Sequence, residues 1–236
     1  MLVDDFLTES ARRMPGKVAL VCDGAKLTYR DIEKLANKMA NALTDSGVER
    51  GDRVAIFLDN CVETVVSIFG ILKAGAVFLV VNRTTKADKL KFILNNCRAK
   101  GIITDRNAAS PLSSIVSDTP HLQFLVMKNG YPKDVRFDSK QCLSLQEFLD
   151  TAPTAAPPRK TISIDLASII YTSGSTGYPK GVTLTHLNMV TAATSITQYL
   201  DNIPSDIILN VLPLSFDYGL YQMLMAFKIG GRLVLE

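Results

Sequence analysis

Apolar positions along this chain alternate between two spacings. Ile32, Leu35, Ala36, Met39 and Leu43 recur at helical intervals, the period of an amphipathic helix. Thr28 and Asp31 precede that run at the spacing of a capping box variant, and Gly47 closes it. Arg53 to Leu58 (RVAIFL) is a short apolar run of strand length. Val62, Val65, Val66 and Phe69 mark a second helix that stops at Gly75. Ala76 to Val81 (AVFLVV) is apolar throughout, as expected of a strand buried on both faces. A helix over about Lys86 to Asn96 buries Leu90, Ile93 and Leu94, and strands follow at Gly101 to Thr104 and Leu122 to Met127. Strand and helix in this order predict βαβ units and an α/β fold of parallel-rich sheets flanked by helices.

The periodicity lapses at Thr151 to Lys160 (TAPTAAPPRK), a Pro- and Ala-rich stretch that reads as a linker or surface crossing. The expected division is a first α/β part over 1–150, the linker at 151–160, and a second part over 161–236. In the second part LASIIYT, GVTLT, DIILNVLP and RLVLE read as strands. His186 to Leu200 and Tyr218 to Lys228 read as helices, the first with Leu187, Val190, Ala193 and Ile196 on one face. An apolar strand with no helix after it predicts a fold that is incomplete at Glu236, one fragment of a larger enzyme. It also predicts an exposed apolar edge near RLVLE that a second copy could cover, making a dimer.

Composition narrows the class. Hydrophobic residues make up 47% and charged residues 21%, the balance of a globular chain with a core. Lys and Arg number 26 against 23 Asp and Glu, a net charge of +3, too small a bias to argue for nucleic acid or an acidic membrane surface. The most hydrophobic stretch, Val65 to Val81, is broken by Gly70, Lys73 and Gly75 and reads as helix, turn and strand, not as a membrane span. The N-terminal MLVDDFLTESARR has no apolar core of signal-peptide length. Cys22, Cys61, Cys97 and Cys142 form no CxxC pair and have no nearby His. That argues against a zinc site and a disulfide framework, and for a reducing, cytoplasmic compartment. With no evident base beside Cys61 or Cys97, a thiol nucleophile is not expected.

The candidate chemistry lies in IIYTSGSTGYPKGVTL, Ile169 to Leu184. A phosphate chain needs many donors in a small space. Glycines let backbone N–H groups approach and turn inward, Ser and Thr add rotatable hydroxyls, and a Lys adds a mobile positive charge. Thr172 to Lys180 offers all three. It is not a Walker loop, because GxxxxGK[ST] is absent and a strand follows the Lys. Spacing alone leaves two readings open: a phosphate-gripping loop, or a Ser/Gly turn whose Lys points into water.

The order of residues in YTSGSTGYPKGV, Tyr171 to Val182, resembles the signature loop of the adenylate-forming superfamily, the AMP-dependent synthetases and ligases: acyl-CoA synthetases, amino-acid adenylation domains and luciferases. LTYRDIEKLANKMANAL (Leu27 to Leu43), LKAGAVFLVVN (Leu72 to Asn82), VTLTHLNMV (Val182 to Val190) and LPLSFDYGLYQMLMAFKIGGRLVL (Leu212 to Leu235) are similar to further blocks of that family, in its order. The tone is closest to AMP-forming acyl-CoA ligases. The chain departs at Asn82-Arg83, where the family often has Asn-Pro or Asp-Pro. It also lacks a YGxTE block, an RTGD block and a C-terminal Lys, which in the family hold adenine and magnesium, bind ribose and promote adenylation.

The resemblance implies the N-terminal portion of an ATP-dependent carboxylate-activating enzyme. The whole enzyme would take ATP and Mg, form acyl-AMP from a small carboxylic acid, and pass the acyl group to coenzyme A or to the phosphopantetheine of an acyl carrier protein. Thr172, Ser173, Gly174, Ser175, Thr176, Gly177 and Lys180 would grip the β- and γ-phosphates. Phe216 and Asp217 would line the acid pocket. Members that activate amino acids pair an Asp after Phe in this block with the substrate's ammonium group; Asp217 could equally cap the following helix. Tyr218 and Tyr221 would line a substrate tunnel or serve as core. His186 carries over as a recurrent residue at the pocket's edge, with no chemical role. No complete catalytic set and no metal ligands are expected within this chain, which alone should bind ATP weakly and form no acyl-AMP. Two rival classes stand beside this one: a nucleotide-binding module that never catalyses, and a protein–protein module with a vestigial loop.

Overall fold

A computed structural model of the chain describes residues 1–132, 137, 140–172 and 178–236. The first elements are α1 (Asp5–Arg13), β1 (Val18–Cys22), β2 (Ala25–Thr28) and α2 (Tyr29–Asp45). Asp23 and Gly24 both have positive φ, 47° and 76°, the turn that joins two strands with the least splay. Thr28 then caps α2: its Oγ1 accepts the Asp31 N–H at 3.2 Å, and Asp31 Oδ2 accepts the Thr28 N–H at 3.0 Å. The capping box expected from the sequence is formed.

There follow β3 (Arg53–Phe57), α3 (Val62–Lys73), β4 (Val77–Val80), α4 (Ala87–Asn96), β5 (Ala99–Asp105), α5 (Ala109–Ser113), β6 (Phe124–Lys128), β7 (Gln141–Ser144) and α6 (Leu145–Asp150). Beyond a stretch without helix or strand come β8 (Leu166–Thr172), β9 (Lys180–Thr185), α7 (His186–Tyr199), β10 (Ile207–Asn210), α8 (Asp217–Ile229) and β11 (Arg232–Leu235).

The strands form two sheets, one of seven in the order β7-β6-β5-β3-β4-β8-β9 and one of four in the order β10-β11-β1-β2. Pairing is parallel except between β8 and β9 and between β1 and β2. Both sheets draw strands from either side of residues 151–160. That stretch runs along α2, whose Asn37, Lys38 and Asn41 side chains donate to the carbonyl oxygens of Thr154, Leu149, Pro153 and Ala155.

The seven-stranded sheet is covered on both faces, which explains its apolar strands. Val54 and Ile56 of β3 join a cluster with Tyr29, Phe69, Phe78 and Phe227. Ala55 and Phe57 point into a second cluster with Leu90, Ile93 and Leu94 of α4 and Leu112 of α5. Gly70 lets α3 lie close to α2; a Cβ there would stand 2.3 Å from Met39 Cγ. Among the described residues no helix is long and apolar enough to cross a membrane.

One expectation fails. RLVLE is not an edge: β11 pairs on one side with β10 and on the other with β1, and Leu233 and Leu235 are buried. The cause is a pairing with residues 18–22 that no local pattern announces. The exposed apolar edge is β10, where Ile207, Leu209 and, just beyond, Val211 face solvent.

Candidate functional site

The chain order of the large sheet fixes where a ligand can sit. From β3 the chain crosses to β4 on one side, then returns to place β5 on the other. Crevices form outside the carboxyl ends of strands at such a reversal. A cavity of about 840 Å³ lies beside that reversal, one strand over, walled by Val80, Val81 and Asn82 at the end of β4 and by Tyr171 and Thr172 at the end of β8. Val182 and Leu184 of β9 extend the wall, Lys86 and Lys89 bring two cations from the start of α4, and Ser215, Phe216, Asp217 and Tyr221 complete it from α8. A smaller cleft of about 340 Å³ shares Val80, Asn82, Thr84 and Ser215 with it.

The hairpin of β8 and β9 carries the glycine-rich stretch at its tip. Thr172 stands opposite Lys180, Tyr171 opposite Gly181 and Ile170 opposite Val182. A strand begins at Lys180, as the sequence predicts. Gly181 lets the two strands pack closely here: a Cβ would lie 2.9 Å from Ile169 Cγ2 and 3.2 Å from the Tyr171 ring, and those side chains would have to shift. Thr172 lines the cavity; Lys180 is exposed beside it. Ser173, Gly174, Ser175, Thr176 and Gly177, the rest of the expected phosphate grip, lie outside the described residues.

The acid-pocket block is held from two directions. Asn60, past the end of β3, donates through Nδ2 to Leu212 O at 3.0 Å and accepts the Leu214 N–H at 3.0 Å. Asn210 Nδ2 donates to Gly219 O at 2.9 Å. These bonds fix the turn that delivers Phe216 and Asp217 to the cavity. Phe216 is the N-cap residue of α8 and Asp217 its first residue. Asp217 Oδ1 accepts the Tyr218 N–H at 2.8 Å, and a carboxylate suits the positive end of the helix dipole. Asp217 also lines the cavity, but it does not cap α8: it sits one residue inside the helix, Phe216 holds the N-cap position, and no side chain makes a cap hydrogen bond. Tyr221 lines the cavity, whereas Tyr218 points to solvent.

The turn at Asn82-Arg83, where the chain departs from the family's proline, is made by other means. Asn82 Oδ1 accepts the Thr84 N–H at 2.9 Å and the Thr84 hydroxyl at 2.7 Å. Arg83 pairs with Asp105 at 2.9 Å and lies 4.8 Å above the Phe57 ring.

His186 is not at the cavity. It is buried at the start of α7, where Nδ1 accepts the Val3 N–H at 3.1 Å. The pocket-edge place that the resemblance implies is not where it lies; its partner sits 183 residues away in sequence, beyond the reach of any local pattern. Burial pushes its pKa down to about 4. It is a neutral staple for the N-terminal residues. The cysteines are all free, and burial raises Cys22, Cys97 and Cys142 to about 11, so these thiols stay protonated at neutral pH.

Among the described residues no group of three or more His, Cys, Asp or Glu could hold a metal ion. These residues therefore do not by themselves make a magnesium site. Lys86, Lys89, Tyr171 and Ser215 were not expected in the site. The available signal was their position just past strand ends at the sheet's reversal, and in Lys86 and Lys89 a pair of cations one helical turn apart.

Known proteins resemble this chain in sequence and in fold. The family profile described as AMP-binding enzyme matches residues 7–236. A medium/long-chain-fatty-acid–CoA/3-oxocholest-4-en-26-oate–CoA ligase of Mycobacterium marinum is 32% identical over 191 residues, 78% of this chain and 34% of that protein. Bacitracin synthase 1 of Bacillus licheniformis is 31% identical over 231 residues, 98% of this chain and 4% of that protein. The crystal structure of the anthranilate CoA ligase AuaEII in complex with anthranoyl-AMP superposes with a TM-score of 0.93 at 27% identity, covering 100% of this chain and 45% of that one. The complex of VinN with 3-methylaspartate gives a TM-score of 0.82 at 27% identity, covering 99% of this chain and 61% of that one. The chain thus spans about a third of the length of the CoA ligase and under half of AuaEII.

Proposed function

We infer function from membership: the chain belongs to the AMP-binding enzyme family. The reading it supports best is the N-terminal part of an enzyme that activates a carboxylic acid with ATP and then transfers the acyl group to a thiol. The observation that carries it is one cavity bordered both by Thr172, from the signature hairpin, and by Phe216 and Asp217, from the acid-pocket block.

In this reading a carboxylate oxygen of the acid attacks the α-phosphorus of ATP, and pyrophosphate leaves with the bonding electron pair. The barrier is repulsion between carboxylate and triphosphate, which fixed donors offset better than mobile water. Thr172, Ser173, Ser175, Thr176 and the glycines hold the β- and γ-phosphates, and Lys180 adds positive charge. Phe216 and Tyr221 give the acid an apolar wall. The acceptor thiol belongs to coenzyme A or to a carrier protein's phosphopantetheine. The free cysteines suit a reducing compartment such as the cytoplasm.

Asp217 favours a second version of the same chemistry. Its cavity-facing carboxylate would pair with the ammonium group of an amino-acid substrate, and bacitracin synthase 1 and the VinN complex with 3-methylaspartate are among the similar proteins. Acid-dependent ATP–pyrophosphate exchange by the full-length protein, run over a panel of amino acids and plain acids, tests both versions. Lys180→Ala should lower exchange by about 10²-fold or more, the usual loss of one charge-stabilising donor; unchanged exchange would remove the phosphate role. Asp217→Asn should raise the KM of an amino acid at least ~10-fold, the worth of a charged hydrogen bond, and leave a plain acid untouched. The 236-residue chain alone should show no exchange, and robust exchange by it would overturn that part of the reading.

A further inference from the structure

Helix α4 touches the hairpin stem on both sides. The Phe92 ring lies 5.2 Å from the Tyr178 ring, centroid to centroid, at an interplanar angle of 38°. Tyr171 Oη donates to Asn96 Oδ1 at 2.6 Å. Tyr171 immediately precedes Thr172, and Tyr178 stands just before Pro179 and Lys180. Each tyrosine therefore stands close to one described residue of the phosphate grip, Tyr171 next to Thr172 and Tyr178 two positions before Lys180. Lys89 pairs with Phe92 and Ile93, and each of these with Asn96, at spacings of three or four residues along α4, so they share one face of the helix. Lys89 and Ile93 of that face line the main cavity.

The contacts are of the kind that fix position. Tyr178 is 67% exposed, so burial does not hold its ring in place; the Phe92 ring does. The Tyr171 ring packs close to Gly181, where a Cβ would stand 3.2 Å from it, and its hydroxyl is tied to Asn96.

We propose that α4 positions the hairpin: Phe92 and Asn96, acting through Tyr178 and Tyr171, set where Thr172 and Lys180 stand beside the cavity. Phe92 and Asn96 are positioning residues that touch no phosphate themselves. This rests on the phosphate-binding reading of Thr172 and Lys180 given above.

The test uses the full-length protein with Phe92→Ala, Tyr178→Ala, the double variant and Phe92→Tyr. Each alanine variant should raise the KM for ATP in pyrophosphate exchange by about 2- to 10-fold, the range of one aromatic pair. The KM for the acid and the melting temperature should not move. The double variant should be no worse than the worse single, and Phe92→Tyr should behave as wild type. Tryptic cleavage after Lys180 gives a readout that needs no activity. It should quicken equally in both singles and no further in the double, because local opening of the hairpin governs it. An unchanged cleavage rate, or additive effects in the double, overturns the clasp. Faster cleavage with an unchanged KM for ATP reduces it to a stability contact and overturns the positioning role. If wild type shows no exchange with any acid, the functional reading fails, and the cleavage series still decides the clasp.

Discussion

His186 is 1% exposed, and its neutral ring is what accepts the Val3 N–H. Its pKa falls from the ordinary 6.5 to about 4 in the folded chain, chiefly through burial. Between those values the unfolded chain binds a proton that the folded chain refuses, so stability rises with pH across the window. The contribution is whole above about pH 6.5 and is lost as pH falls toward 4, amounting to about 3 kcal/mol. Urea unfolding at pH 7 and pH 4.5 should show wild type losing more stability than His186→Gln over that interval. Equal losses would refute the burial argument. The same residue shows where local reading ends. A His after a Thr at a helix start has the same sequence signature whether it borders a pocket or serves a backbone N–H at the far end of the chain. Asp217 is a nearer case: its place at the start of α8 depends on neighbours in sequence and was legible to within one residue, Phe216 and not Asp217 holding the N-cap position.

At the scale of elements, Gly219 shows how the site is aimed. A Cβ there would stand 2.5 Å from Pro213 O and 2.9 Å from Leu212 O, and backbone cannot yield as a side chain can. Gly219→Ala should therefore cost about 1–3 kcal/mol, the usual penalty of overpacking, and shift the start of α8 with Phe216 and Asp217. Thermal melting and the KM for the acid should both change; a normal melt with a normal KM would show that the turn has slack. The elements legible in sequence were those whose pattern is local. The box at Thr28 and Asp31 announced α2, and the unbroken apolar run of Ala76 to Val81 announced β4. β2 (AKLT) has no buried residue and hence no period to read. α1 buries only Phe6, Leu7 and Ser10, and one of its anchors is a Ser10 hydroxyl bonded to Phe227 O at 2.7 Å. The cavity was legible only in pieces. Thr172, Phe216 and Asp217 could be singled out one by one, but Lys86 and Lys89 join them only because β4 pairs with β8, with Phe78 opposite Ser168.

Across the whole molecule, the two sheets are bound by pairings that ignore sequence distance, and the β10 edge of the smaller sheet is both open and apolar. β10 presents Ile207 and Leu209 to solvent beside unpaired backbone groups, the arrangement that invites a further strand. Leu209→Lys should lower concentration-dependent light scattering by the 236-residue chain and leave its melting temperature within about 0.5 kcal/mol of stability, since an exposed side chain contributes little. Scattering that does not respond would show that this edge does not drive association.

The seat of β1 between β2 and β11 has a consequence for how the chain is made. A ribosome releases β1 and β2 long before β11, and at roughly 5–20 residues per second the delay is on the order of ten seconds or more. Through that interval Leu20 and Cys22 await the strand that will pair with them, held in a hairpin too small to be stable alone. The early hairpin is thus a natural client for a chaperone that shields nascent chains, and slowing translation between β2 and β11 should lengthen that dependence.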